Sequence, residues 1–167
     1  MARMSKFLAA AVAIAILAPA TASADDQSVY DLWHSTHPRF VKLRRDFEKA
    51  ERHWENSSYK DPQPAYRAAR KTEALSRKIS TRLKADTTSS TTGAQARSEA
   101  LRGLNHRRKW AEAERRAIEA FMRFDGDGYL RFHSDAKTYI RRAQKYEKEA
   151  KRLFDQAGVA SGGSSSR

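Results

Sequence analysis

Apolar side chains recur along the chain at alternating steps of four and three, close to the helical turn of about 3.6 residues. Val29, Trp33, Thr36, Phe40, Leu43, Phe47, Ala50 and Trp54 form the first such stripe. Pro38 lies inside it. Proline lacks an amide donor but suits a first turn, so the pattern predicts a short helix before Pro38 and a long one after. "NSSYKDPQP" ends the run, and Ala65, Ala68, Thr72, Leu75, Ile79 and Leu83 define a second stripe. "TTSSTTG" reads as a loop, and Thr92 with Gln95 as a capping box for the third helix. That helix, from about Ala94 to Phe124, presents Ala100, Leu104, Ala111, Ile118 and Phe121, widened by Trp110, Ala117 and Phe124. Gly103 inside it costs about 1 kcal/mol against alanine. The fourth helix is predicted to start at an N-cap, Ser134, and carries Tyr139, Ala143, Tyr146, Ala150, Leu153 and Ala157, with Gly158 placed to stop it.

No segment alternates as a strand does. Helix is therefore expected over 40–55, 65–84, 95–123 and 135–157. The fold class is all-α, an antiparallel bundle of about four long amphipathic helices with coiled-coil-like seams.

The N-terminus follows different rules. Arg3 and Lys6 precede an apolar run from Phe7 to Ala18, then Pro19 and the small-x-small site Ala22-Ser23-Ala24. This pattern predicts a secretory signal peptide over 1–24, with the mature chain beginning at Asp25. The apolar run is short for a membrane span. The leader looks bacterial in type, so the expected location is periplasmic or secreted. The helical domain then covers 25–157, and "GVASGGSSSR" over 158–167 reads as a flexible tail. The chain has no cysteine, which excludes thiol chemistry and a lipid-anchored leader and leaves packing to hold the fold.

"RFDGDGYLRFHS", residues 123–134, carries candidate chemistry. Asp125, Asp127, Gly128 and Leu130 fall at positions 3, 5, 6 and 8 of a calcium loop, with the Tyr129 carbonyl at position 7. Over these dozen residues the chain resembles the EF-hand family; no resemblance extends over the whole chain. The resemblance implies a calcium ion held by Asp125, Asp127, Tyr129 and, one place late, Asp135. Arg123 and Ser134 stand at positions 1 and 12, where ligands belong. Any such site would be weak, because calcium needs six to eight oxygens. The other reading is a helix connector: glycines permit the turn, aspartates bond their own backbone, and Phe124, Leu130 and Phe132 plug the end of the bundle. No further cofactor is implied.

His34 and His37, with Asp31 one turn earlier, have a zinc-like spacing but no fourth ligand. No nucleophile stands in a strained glycine turn and no serine–histidine motif is present, so the chain reads as non-enzymatic.

Charge supplies the functional signal. Lys and Arg number 33 against 20 Asp and Glu, a net charge of +13. Part of this is spent in helix pairs such as Glu112 with Arg116 and Glu119 with Arg123. Lys137, Arg141, Lys145, Lys148 and Arg152, however, line one side of the fourth helix with no acid among them, and Lys42, Arg45, Lys49 and Arg52 form a shorter row on the first. Such rows are either solvated surface or anion-binding faces. The expected function is an exported binding protein for an anionic polymer, an anionic lipid surface or an acidic protein. The alternatives are a calcium-responsive interaction module and a periplasmic chaperone-like helical cradle.

Overall fold

A computed structural model of the chain describes residues 24–159. The expected signal peptide, apart from Ala24, and the tail beyond Val159 lie outside the described residues. Four helices follow one another: α1 (Ala24–Asn56), α2 (Gln63–Ala85), α3 (Thr91–Met122) and α4 (Gly126–Gln156). No strand occurs among the described residues. Sequence-adjacent helices pack side by side, so short connections force an up-down-up-down bundle.

Three differences from the sequence reading concern how the helices start and continue. α1 runs unbroken through Pro38. Pro38 and His34 are both exposed, so the turn that the proline disrupts is not buried. α4 starts eight residues before Ser134: Asp125 is its N-cap, and its carboxylate accepts from the Gly128 amide at 2.8 Å. The N-cap of α3 is Ser90 rather than Thr92.

Three helices stop in the same way. Tyr59 N–H donates to Trp54 C=O, Asp125 N–H to Ala120 C=O and Val159 N–H to Phe154 C=O. Each places a left-handed residue just past the cap: Ser58 (φ 55°), Phe124 (φ 59°) and Gly158 (φ 75°). These are Schellman stops, in which late carbonyls find donors. Val159, expected in the tail, is fully buried behind the last of them.

The core has two apolar clusters. One joins Val29, Tyr30, Trp33 and Phe40 to Ile79, Leu83, Leu104 and Phe154; the other joins Phe47 and Trp54 to Ala65, Ala69, Trp110 and Ile118. Small residues bring α3 and α4 closest together: Ala96, Ala100, Gly103, Ala111, Ala136, Ala143 and Ala150 are all buried. A Cβ on Gly103 would meet Glu147 Cγ at 3.0 Å, which accounts for a helix-interior glycine.

Two polar contacts pin the bundle. At one end, the buried Asp26 accepts from Ser89 N–H (3.0 Å) and Ser90 Oγ (2.5 Å), while Ser90 Oγ accepts from Gly93 N–H (2.8 Å). The start of α1 thereby caps the start of α3. In the middle, Arg107 and Glu147 form a buried bidentate pair, with Nη2 donating to Oε2 at 2.7 Å and Nε to Oε1. The Arg107 guanidinium also lies 5.0 Å from the Phe40 ring centre.

Candidate functional site

The α4 row is built by period alone. Steps of four, four, three and four residues keep Lys137, Arg141, Lys145, Lys148 and Arg152 on one stripe. Ala136, Ala143 and Ala150 turn toward α3, leaving that stripe facing water: all five bases are exposed. Arg152 pairs with Glu149 at 2.5 Å. Lys137, Arg141, Lys145 and Lys148 have no carboxylate within 4.0 Å among the described residues. Lys145, Lys148 and Arg152 line an open cleft of about 380 Å³ with Tyr146, Glu99 and Glu149. On α1, Lys42, Arg45, Lys49 and Arg52 are likewise exposed, and Lys42 pairs with Asp46 at 2.8 Å. A groove of about 300 Å³ between α1 and α4 is lined by His37, Arg44, Arg45, Glu48 and Gln144, with Arg107 and Glu147 at its wall.

The EF-hand-like residues form no loop. Only Arg123, Phe124 and Asp125 lie between α3 and α4. Asp125 is spent on the Gly128 amide, Asp127 is in the first helical turn, Tyr129 is inside α4, and Asp135 is exposed more than two turns further on. An α-helix separates residues eight apart by about 12 Å, so Asp127 and Asp135 cannot share an ion with the Tyr129 carbonyl. The connector reading holds for the backbone but not for the plug: Phe124 is 99% exposed and Leu130 65%. Arg123 takes no part in an ion pair with Glu119, which pairs with Arg115 at 2.6 Å instead. His34 and His37 are exposed, and His34 Nδ1 lies 3.4 Å from the Tyr30 hydroxyl.

Sequence reasoning missed a different cluster. Glu51 of α1, Glu114 of α3 and His133 of α4 bring one ligand atom each within 4.8 Å of one another. His133 Nδ1 lies 3.2 Å from Glu114 Oε2 and 3.8 Å from Glu51 Oε1. Trp110 Nε1–H donates to Glu114 Oε1 at 3.1 Å, and Tyr129 stacks on His133 with ring centres 5.7 Å apart. Burial, then the neighbouring Glu114 carboxylate, pushes the Glu51 carboxyl up to about 7. The hydrogen bond to Glu114 raises His133. Burial and the Glu51 charge push the Tyr129 phenol up to about 12, so it stays protonated. The arrangement has the donor set to accept a proton or a cation between the helices.

The signal for it was present in the period. Glu114 lies one turn past Trp110 on the core stripe, and Glu51 borders the α1 stripe between Phe47 and Trp54, beside Ala50, where apolar residues are expected. A carboxylate there must find a partner.

No protein-family model matches the chain, and neither do the curated proteins or the solved structures.

Proposed function

We propose that this protein is an exported, non-enzymatic helical bundle that binds a polyanionic component of the cell envelope through the outer face of α4. One observation carries the reading: four consecutive bases of the row, Lys137, Arg141, Lys145 and Lys148, are exposed and form no ion pair within 4.0 Å among the described residues. Some other bases pair within one turn, as in Arg44 with Glu48 and Arg77 with Glu73, so the row differs in being a continuous stripe of such unpaired charges on one helix side. Like charges one turn apart cost helix stability slightly, and a bound polyanion would offset that cost. Export rests on the N-terminal pattern, and no helix among the described residues is long and apolar enough to cross a membrane.

The test is retention of the mature chain on immobilised heparin and on anionic envelope polymer across a salt series. Released counterions make polyanion binding fall steeply with salt. Arg141→Glu with Lys145→Glu and Lys148→Glu leaves the core untouched, and it should elute at much lower salt with an unchanged circular dichroism melt. Equal elution of the folded variant would make the row plain solvated surface.

A further inference from the structure

We infer that Glu51, Glu114 and His133 form a binding site for a single first-row divalent metal ion, of the Zn²⁺ class, held between α1, α3 and α4.

The geometry suits that ion. Zinc binds imidazole nitrogen and carboxylate oxygen at about 2.0–2.2 Å, which places neighbouring tetrahedral ligands roughly 3.3–3.5 Å apart. The two edges from His133 Nδ1 are 3.2 and 3.8 Å, and the third is under 4.8 Å. Small rotations of the Glu51 side chain close the set. One nitrogen and two oxygens select against calcium, which takes six to eight oxygens, and favour zinc and its neighbours. Three protein ligands leave a fourth position for water. Side-chain exposures of 20% at Glu51 and 23% at His133 leave a path from solvent, whereas Glu114 is 7% exposed.

Two independent observations point to a cation rather than to a simple ion pair. First, the protein carries 33 lysines and arginines, yet among the described residues neither Glu51 nor Glu114 has one within 4.0 Å, and His133 is the one base that faces them both. One buried and one partly buried carboxylate in a strongly basic chain are clear of lysine and arginine among the described residues. Second, the ligands are braced as metal ligands are. Trp110 Nε1–H holds the outer oxygen of Glu114, leaving Oε2 directed at His133, and Tyr129 stacks against the imidazole. Outer contacts of this kind fix ligand orientation and typically change metal affinity 10–100-fold when removed. Binding at Nδ1 requires the His133 proton to be on Nε2.

The experiment is calorimetric titration of the metal-free mature chain with Zn²⁺ at neutral pH, with the melting temperature followed in parallel. A variant carrying His34→Gln and His37→Gln serves as background, removing the surface histidine pair. The expected result is one ion per chain in that background, with a melting temperature that climbs with zinc concentration. Co²⁺ should give the visible bands of a low-coordinate site. Glu51→Gln and, separately, His133→Gln should weaken binding at least 100-fold; Glu51→Gln keeps size and shape, and its apo melt reports whether the bundle still folds. Trp110→Phe should weaken binding about 10-fold while keeping the one-to-one ratio. The inference is overturned if the background variant binds no stoichiometric zinc, or if folded Glu51→Gln binds as tightly as its parent. Salt-dependent heparin retention would survive either failure, so the two readings separate.

Discussion

The buried Arg107–Glu147 pair sets up a sharp test of what holds the middle of the bundle. Replacing Glu147 with leucine leaves Arg107, 6% exposed at the side chain, without its carboxylate partner. Removing one member of a buried pair costs about 3–5 kcal/mol, because the remaining charge is stranded away from water. The bidentate contact, and a guanidinium packed over Phe40, leave Arg107 little freedom to swing out. For a domain of this size the loss should lower the melting temperature by roughly 10–17 °C. Arg107→Met alone should act similarly by stranding Glu147. The double variant, Arg107→Met with Glu147→Leu, removes both desolvated charges and should fall within about 1 kcal/mol of the parent or exceed it. Thermal and urea unfolding of all four proteins completes the cycle. Single substitutions that shift the melt by less than about 3 °C would show that Arg107 escapes to solvent, and the reasoning would fail.

A Cβ on Gly93 would overlap the Asp26 carboxylate, so Gly93→Ala should destabilise by about 1–3 kcal/mol. In an Asp26→Ala background the same change should instead stabilise by up to about 1 kcal/mol, as alanine does in a free helix; urea unfolding reads the reversal of sign. Phe124 holds a left-handed φ of 59° while 99% exposed, so Phe124→Gly should raise stability by about 1 kcal/mol, and a loss would reveal a packing role. Burial, then Lys109 and Arg142, lowers the His106 pKa below its ordinary 6.5. The unfolded chain therefore takes up this proton first, and the contribution present above pH 6.5 is lost as pH falls through the depressed folded value. His106→Phe, which keeps the stack on Tyr146, should shrink the drop in urea midpoint between neutral pH and pH 5; an unchanged drop would assign it to other groups.

Which parts of this molecule can be read from sequence depends on how local their causes are. The seam of Phe40, Phe47 and Trp54 is a property of one helix, and all three are buried as the spacing requires. The α4 row is equally local, and its five bases share the exposed side that the period assigns. Pro38 misled because the cost of a proline depends on whether the turn it disrupts is buried, and here both Pro38 and His34, one turn before it, are exposed. The start of α4 misled because a metal-loop template and a helix N-cap both favour aspartate and glycine at these spacings. Glu51, Glu114 and His133 come from three helices, and no local rule joins them. What the sequence does show is one carboxylate on an apolar stripe and another bordering one, which mark a place where the core must do something other than exclude water.

The close α3–α4 packing has a consequence for how the molecule opens. One edge of the bundle is sewn with alanine and glycine at short range, while the facing edge, between α1 and α4, keeps its backbones apart and is bridged by long side chains over a groove. Native proteins unzip in cooperative units, and the units with fewest buried contacts open first. Amide hydrogens of α3 and α4 in the alanine seam should then exchange only when the whole chain unfolds. Those of α1 should exchange through a cheaper opening in which the first helix lifts away and the last two stay closed as a hairpin. An ion that bridged Glu51 to Glu114 and His133 would tie down the helix that is first to leave, so its clearest mark would be slower exchange along α1.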